Sequence, residues 1–335
     1  MMALWKTAAF TPEASGWIPP SDRTSEMRKA DKAIQSDMPS VGEVFGGSST
    51  SERPRIWEVV GKAIEKGLVP AEFVRGKHLK NISQIIGSCV GFGAGNMALY
   101  ASVIDALIRG QRERVMVPFV PYHYGRGRLH SGIRGPGSGS FGSGQAKALA
   151  VDGFLAFDHE NVPKPSFGEQ IIWTGQIETQ WSDGARIGDE FVQAGQKHLF
   201  PTAARVDSVD QAKTLLDSYY TMTIASSWGG QMRCPVRDGV LLNSRSGTWN
   251  HQMWVIDYIT HPSLGDLFWV GNNWRYPHGT DPGGEWDNGY GAPPGGFYIR
   301  ASDMAWIISK RETFAFADPA GFVDRSRKFQ WITAK

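Results

Sequence analysis

The chain has 335 residues, of which 41% are hydrophobic and 20% are charged, a balance typical of a folded globular protein rather than a disordered one. Its formal net charge is +2, so composition gives no electrostatic argument for binding nucleic acid or an anionic membrane. The two cysteines, Cys89 and Cys234, exclude a disulfide scaffold and a four-cysteine zinc site. We recognise no signal peptide or membrane-spanning segment, so we expect a cytoplasmic or virion-associated protein.

The N-terminal part of the chain has the composition of an arm. Residues 1 to about 52 are polar and rich in Ser, Pro and Gly, and residues 44–51 have the composition of a linker. Apolar spacing then predicts a helix over residues 54–68. We expect residues 1–75 to form a pro-segment or docking arm, which lies on the chain's own cleft or on another protein chain.

The next segment predicts a helical half. Residues 89–109 are apolar on nearly all sides, which predicts the buried central helix of the domain. Residues 115–122 are predicted to be extended, 125–144 to form a glycine-rich loop, and 145–152 to form a short helix.

The remainder favours strands. Strands are predicted over 220–228, 252–260, 267–271 and 297–299, with a helix over 210–219. A helix-rich segment followed by a strand-rich one predicts an α+β fold with two subdomains. The predicted domain covers residues 76–310, with a helical half over 76–165, a strand-rich half over 166–310, and a C-terminal extension over 311–335.

Three residues carry the chemical argument. Cys89, His251 and Asn272 supply, in chain order, a thiol, an imidazole and an amide, the parts needed to make and hold a nucleophilic thiolate. A cysteine at the first turn of a helix lies at the positive end of the helix dipole, which favours the thiolate. Taken alone, a buried structural cysteine is the commoner explanation.

A predicted hairpin brings two of these residues together. The turn at residues 261–266 lies midway between His251 and Asn272, so an antiparallel pairing would set the two residues close to cross-strand. An amide in that position suits the orientation of an imidazole.

These segments resemble the papain-like cysteine peptidases. The nucleophile segment of that family has a Gln followed by Gly-Ser-Cys, as in Gln84 and Gly87-Ser88-Cys89. Its His begins an apolar strand, as His251 does, and its Asn precedes a Trp, as in Asn272-Asn273-Trp274. A glycine loop before a short Ala-Leu helix is similar to the segment from Gly142 to Leu149. The resemblance covers roughly residues 80 to 305.

The resemblance implies a papain-like fold, in which a central-helix subdomain packs against an antiparallel sheet or barrel. It implies that Cys89 is the nucleophile, His251 the acid/base, and Asn272 its orienting residue. Gln84 would form the oxyanion hole with the Cys89 backbone N–H. The implied substrate-binding residues are Gly142, Ser143, Gly87, Ser88 and Trp274. The family's disulfide cysteines are absent, so the implied member is distant and not secreted.

The implied activity is cleavage of peptide or amide bonds through a thioester, with a protein or peptide as substrate and no metal or other cofactor. Two alternatives stay open. One is a papain-fold structural or docking protein, for example of a viral particle, with weak or no activity. The other is a cysteine amidase that acts on peptidoglycan. A glycine pattern at 137–142 lacks the preceding strand of a dinucleotide site, and no nucleic-acid or membrane partner is expected.

Overall fold

A computed structural model describes residues 16–45, 53–109, 115–274 and 290–317. Residues 46–51 of the linker predicted over 44–51 and most of the C-terminal extension therefore lie outside the described residues. The helices are α1 (Ser25–Asp37), α2 (Val41–Val44), α3 (Ile56–Glu65), α4 (Cys89–Arg109), α5 (Val120–His130), α6 (Gly142–Val151), α7 (Gly175–Trp181), α8 (Asp189–Gly195), α9 (Val209–Asp217) and α10 (Ala301–Ile308).

The strands are mostly short. They are β1 (Val74–Arg75), β2 (His78–Leu79), β3 (Ile82–Ser83), β4 (Ser166–Phe167), β5 (Ile171–Ile172), β6 (Thr202–Arg205), β7 (Met222–Ser226), β8 (Val236–Arg237), β9 (Val240–Leu241), β10 (His251–His261), β11 (Gly265–Gly271), β12 (Gly296–Arg300) and β13 (Thr313–Ala317). Six of them form one antiparallel sheet in the order β12-β11-β10-β7-β13-β6.

The predicted central helix is confirmed at both of its bounds. Helix α4 spans Cys89–Arg109 and packs against β10, with apolar side chains such as Phe92, Leu99 and Val103 fully buried. By length and composition, residues Cys89–Ile108 could also cross a membrane, contrary to our expectation that no segment is long and apolar enough. Because 78% of the most apolar 18-residue window is buried inside the protein, the apolar surface is explained by the core.

The strand-rich half follows the predicted pattern. Strands β7, β10, β11 and β12 and helix α9 occur within a few residues of their predicted bounds. Helix α10 and strand β13 were not predicted. Strand β13 lies inside the sheet between β7 and β6, so the predicted domain boundary at residue 310 is too early.

Glycines misled the prediction of helix α5. Residues 120–122 are helical rather than extended, and the predicted glycine loop begins with the second half of this helix. Gly125 and Gly127 are required by close packing, because a Cβ would lie 2.0 Å from the Trp181 carbonyl oxygen and 1.7 Å from the Gln145 amide. The glycines here indicate tight contact between elements rather than a flexible loop.

The N-terminal arm is more ordered than its composition predicts. Thr24 caps α1 by accepting from the Met27 backbone N–H, and α1 packs against α6. Helix α3, predicted as part of the arm segment, contributes Trp57 and Val60 to the main core. Residues 16–45 of the arm therefore lie on the surface of the domain, whereas α3 belongs to it.

Candidate active site

The Cys89 thiol lies at the start of α4 under a layer of protein. Ser88 precedes the helix, and its carbonyl oxygen accepts from Gly91 and Phe92 as the first turn closes. The Cys89 Sγ atom accepts backbone N–H groups from Gly16, at 3.2 Å, and Gln252, at 3.4 Å. The side chain is fully buried. The nucleophile candidate is thus fixed by the helix, by strand β10 and by the N-terminal arm.

His251 and Asn272 meet on the predicted hairpin. His251 begins β10, and its Nε2 atom lies 3.0 Å from the Asn272 Oδ1 atom. The observed register pairs Trp254 with Gly271, with an irregularity after Val255, so the His–Asn contact is diagonal rather than directly cross-strand. Residues two apart share one face of a strand, which lets the two side chains meet.

Hydrogen bonding fixes the tautomer of the imidazole. The Asn272 Oδ1 atom also accepts the Trp274 backbone N–H at 3.3 Å, which identifies this atom as the carbonyl oxygen of the amide. His251 Nε2 must therefore donate to it, and in the neutral ring Nδ1 carries the lone pair. Nδ1 is buried and has no hydrogen-bond partner among the described residues. A nitrogen in that state can act as a base.

Trp274 covers the His–Asn contact. Its indole ring lies 4.4 Å from the His251 ring, centroid to centroid, with the planes tilted by 33°. The Trp249 ring in turn packs against the Trp274 ring, with the two ring centroids 4.9 Å apart. The position suits shielding of the hydrogen bond from water more directly than contact with a substrate.

The site is uncharged while it is covered. Burial raises the pKa of the Cys89 thiol to about 12, although hydrogen bonds from Gln252 and Gly16 oppose the shift. Burial also lowers the pKa of His251 to about 3, against the hydrogen bond to Asn272. At neutral pH the covered pair is therefore a thiol and a neutral imidazole, because an enclosed apolar site disfavours both charged forms.

A buried glutamate holds the loop before the nucleophile. Glu178 on α7 accepts from the backbone N–H groups of Ile85 and Ile86 and, at 2.6 Å, from the Ser88 hydroxyl. Burial raises the Glu178 pKa to about 8, against these three hydrogen bonds. Ser88, expected at the substrate, instead contacts this carboxyl group. The sequence offered no signal for Glu178, because its role arises only in the folded chain.

The other expected site residues have structural contacts. Gln84 donates from Nε2 to the Ile86 carbonyl oxygen at 2.8 Å, and the Gly87 carbonyl oxygen accepts from the Tyr124 hydroxyl at 3.0 Å. Gly142 and Ser143 begin α6, where the Gly142 N–H donates to Glu312 and the Ser143 hydroxyl donates to Asp31 of the arm.

Asn273 was also missed, although it adjoins Asn272. Its Nδ2 atom donates to the carbonyl oxygens of Cys89 and Gln252, at 3.0 and 3.2 Å. Gln252, next to His251, donates from its side chain to the Val90 carbonyl oxygen. These bonds fasten the start of α4 to the start of β10. They set the distance between the segments that carry the thiol and the imidazole.

The N-terminal arm runs through the space in front of the thiol. The Ile18 N–H donates to the Ser140 carbonyl oxygen, and the Ser140 N–H donates to the Gly16 carbonyl oxygen, at 2.7 and 2.8 Å. The Trp17 N–H donates to the Asn250 carbonyl oxygen. A Cβ on Gly16 would lie 1.9 Å from the Gly87 carbonyl oxygen, so only glycine fits at this point. The arm therefore covers Cys89 at contact distance.

Within the described ranges, no group of three His, Cys, Asp or Glu side chains is placed to hold a metal ion.

No family model and no curated protein matches the sequence, whereas solved structures do. Xylellain, a cysteine protease from Xylella fastidiosa, is 14% identical, with 92% of this chain and 97% of that chain covered and a TM-score of 0.50. Digestive procathepsin L 3 of Tenebrio molitor is 12% identical over 87% and 79% of the two chains, with a TM-score of 0.44. Procathepsin B S9 from Trypanosoma congolense is 11% identical over 93% and 88%, with a TM-score of 0.48. The chain thus has the papain-like α+β fold, as a distant example of it.

Proposed function

Since the chain has the papain-like fold, we propose that it is a cysteine peptidase that cleaves peptide bonds through a Cys89 thioester. The observation that carries the proposal is the bonded His251–Asn272 pair, joined to the thiol at the start of α4 through Gln252, whose backbone N–H donates to the Cys89 Sγ atom at 3.4 Å. The Asn272 carbonyl oxygen holds Nε2 as a donor, which leaves Nδ1 to take a proton. Cys89 at the positive end of a 21-residue helix gains further support as a thiolate once the site is open.

In the proposed reaction the Cys89 thiolate attacks the carbonyl carbon of the peptide bond. The imidazolium of His251 then gives its proton to the leaving amine, and a thioester remains on Cys89. A water molecule, deprotonated by His251, attacks the thioester, and the C–S bond breaks to release the carboxylic acid product. The Cys89 thiolate then takes the proton back from His251, which restores the thiol. Gln84 and the Cys89 backbone N–H are the proposed donors to the developing oxyanion.

We further propose that the N-terminal arm is an inhibitory segment. The thiol is fully buried beneath Gly16 and Trp17, and a buried thiol with a raised pKa is a poor nucleophile. Trp17 and Phe45 pack inside their own chain, the latter 6.1 Å from the Tyr220 ring, which favours this role over a docking arm for another protein. The remaining early aromatic residues, Trp5 and Phe10, lie outside the described residues.

The test uses a full-length chain whose arm is displaced. Because any side chain at residue 16 collides with the Gly87 carbonyl oxygen, Gly16→Leu should lift the arm from the thiol. We expect this variant to hydrolyse a mixed peptide library, and Cys89→Ser in the same background to abolish the hydrolysis. Asn272→Ala should lower kcat about 100-fold, since a misplaced imidazole costs about that factor.

Two results would contradict the proposed activity. Hydrolysis that survives Cys89→Ser would place the chemistry elsewhere, and a displaced arm without cleavage of any peptide would argue against a peptidase. Parallel assays on peptidoglycan fragments would identify an amidase instead.

A further inference from the structure

A buried carboxylate without a cation lies behind the start of the nucleophile helix. Glu178 on α7 is fully buried, and no lysine, arginine or histidine of the described ranges forms an ion pair with it. The other fully buried glutamate, Glu312, is paired with Arg23. Burial of an unpaired carboxylate is costly, and groups of this kind are concentrated at functional sites. The reaction proposed above leaves Glu178 without a role.

The donors to this carboxylate all belong to the turn that precedes α4. Its Oε1 atom accepts the Ile85 backbone N–H at 2.9 Å, while Oε2 accepts the Ile86 N–H at 3.3 Å and the Ser88 hydroxyl at 2.6 Å. The N-terminal end of a helix favours a negative charge, which supports the ionised form. Because a carboxylate accepts hydrogen bonds and donates none, only the ionised form satisfies all three donors.

The same turn separates the two proposed oxyanion donors. Residues 85–88 are the only ones between Gln84 and Cys89. The Gln84 amide donates to the Ile86 carbonyl oxygen at 2.8 Å, and the Ser88 backbone N–H donates to that oxygen at 2.7 Å. The backbone at Ile86 therefore links the residues on both sides of the turn, and Glu178 holds that backbone from behind.

The charged and titratable groups around Glu178 leave its charge to the turn. Tyr124 on α5 interacts with both Glu178 and Cys89, and burial raises the pKa of the phenol and of the thiol, so both are neutral at pH 7. Arg128 on α5 donates to backbone carbonyl oxygens, and Asp183, just beyond α7, is paired with an exposed arginine. Glu178 is the only charged residue of α7 itself.

Resting on the proposed peptidase function, we propose that Glu178 is a positioning residue for the oxyanion site. Its ionised carboxylate fixes the turn 85–88 and, through the turn, the Gln84 amide and the Cys89 backbone N–H. A proton on Glu178 turns one acceptor into a donor that competes with the Ile86 N–H, so the turn loosens. Hydrolysis therefore requires the ionised form. Alkylation of the thiol develops no oxyanion and does not require it.

The first experiment compares hydrolysis with alkylation in the full-length Gly16→Leu protein, with and without Glu178→Gln. Glutamine keeps the shape of the side chain but places a donor against a backbone N–H. We expect kcat for peptide hydrolysis to fall about 10- to 100-fold with KM within about threefold, because the oxyanion donors act in the transition state. The rate of Cys89 alkylation by iodoacetamide should stay within about threefold.

Asp183→Asn is the matched control for this comparison. Asp183 is also buried and its carboxylate accepts a backbone N–H, from Gly135 at 3.2 Å, but that donor lies outside the turn. We expect Asp183→Asn to leave kcat within about threefold. A loss of kcat equal to that of Glu178→Gln would overturn the assignment. A parallel fall of hydrolysis and alkylation in the Glu178→Gln protein would also overturn it, because it would show a general structural role.

The pH dependence supplies a readout that a purely structural role would not change. Burial raises the pKa of Glu178 to about 8, so the ionised form is present above that value and is lost as pH falls through it. We expect kcat of the Gly16→Leu protein to fall with this titration, and the limb to be absent from alkylation. The limb should disappear with Glu178→Gln. A limb that persists in the Glu178→Gln protein would overturn the requirement for ionised Glu178.

The second experiment needs no peptide cleavage. The Cys89 sulfur adds to the carbonyl carbon of an N-acetyl dipeptide aldehyde, and the aldehyde oxygen takes up the thiol proton, so that this oxygen occupies the oxyanion site. Dissociation constants of the aldehyde are compared between the Gly16→Leu proteins with and without Glu178→Gln. We expect at least tenfold weaker binding to the Glu178→Gln protein.

The two experiments separate the failure of this inference from the failure of the proposed function. Weaker aldehyde binding with unchanged alkylation, in a protein that cleaves no peptide, would support the role of Glu178 and contradict the peptidase. Cleavage and aldehyde binding that are both unchanged by Glu178→Gln would support the peptidase and overturn the role of Glu178. An aldehyde that binds to neither protein would overturn the oxyanion site itself.

Discussion

Two buried arginines, Arg53 and Arg23, anchor the N-terminal segment. They differ in which part of the chain carries the carboxylates that they bind. Arg53 bonds to Asp217 and Asp257, and the same carboxylates also accept from the Tyr258 hydroxyl and the Ile56 N–H. Arg23 bonds to Glu312 and to Asp31, of which the second belongs to the arm itself. Both guanidinium groups are almost completely buried.

The Arg53 cluster is a permanent part of the fold, whereas the Arg23 cluster can separate when the arm leaves. Burial opposes the charge of Arg53, yet Asp257 and Asp217 raise its pKa above the ordinary value, so the cluster is charged and closed. Burial raises the pKa of Glu312, and Arg23 opposes that shift. Removing Arg53 would leave two carboxylates inside the core without their cation, whereas lifting the arm exposes Glu312 to the cleft. The Arg53 ion pairs thus stabilise the fold, whereas the Arg23–Glu312 pair holds the arm over the site.

The largest expected effect is on the free energy of unfolding, when the Arg53 cluster is broken. Arg53→Ala leaves Asp217 and Asp257 buried without their cation, which should lower the free energy of unfolding by about 3–5 kcal/mol. For a chain of this size that loss corresponds to roughly 4–7 °C in Tm, measured by calorimetry. A drop as small as that of Arg23→Ala would erase the distinction between the clusters.

A smaller effect on stability and a larger one on the site are expected for Arg23→Ala. The arm loses its bond to Glu312 and can lift away, so water reaches the carboxylate and the unfolding free energy falls by no more than about 2 kcal/mol. Modification of Cys89 by a thiol reagent should become roughly tenfold faster than in the wild type. An unchanged rate together with a large loss of stability would show that this cluster, too, is structural.

The smallest effect is expected for Asp31→Asn. Its side chain is 19% exposed, and it accepts from Arg23 and from the Ser143 hydroxyl. Partial exposure weakens the ion pair, so the rate of Cys89 modification should rise only about threefold. An effect larger than that of Arg23→Ala would mean that the helix α1 contact, rather than Glu312, holds the arm.

The pH dependence of modification follows from the buried thiol. Its pKa in the covered site is raised to about 12, so the thiolate is present only above that value and is lost as pH falls through it. In the Gly16→Leu variant, exposure removes the cause of the shift, and the helix dipole and a protonated His251 favour the thiolate. We expect rapid modification of the variant near neutral pH and of the wild type only under strongly alkaline conditions.

The sequence predicted the parts of the site that local patterns encode. The bounds of α4 follow from its apolar residues, and the His251–Asn272 contact follows from two apolar strands around a turn. Helix α1 was missed because none of its residues is buried, so its sequence has no apolar stripe that would predict a helix. Glu178 and Glu312 were missed because their partners lie 90 or more residues away and only the fold brings them together.

The most direct measurement is covalent labelling of Cys89 by an epoxide that reacts only with activated thiolates, read by mass spectrometry at pH 7. The wild type, Gly16→Leu, and Gly16→Leu with His251→Ala are compared. We predict no adduct on the wild type, an adduct at Cys89 on the Gly16→Leu protein, and its loss with His251→Ala. Equal labelling of the wild type, or labelling of the variant that does not require His251, would contradict a thiol–imidazole site held closed by the arm.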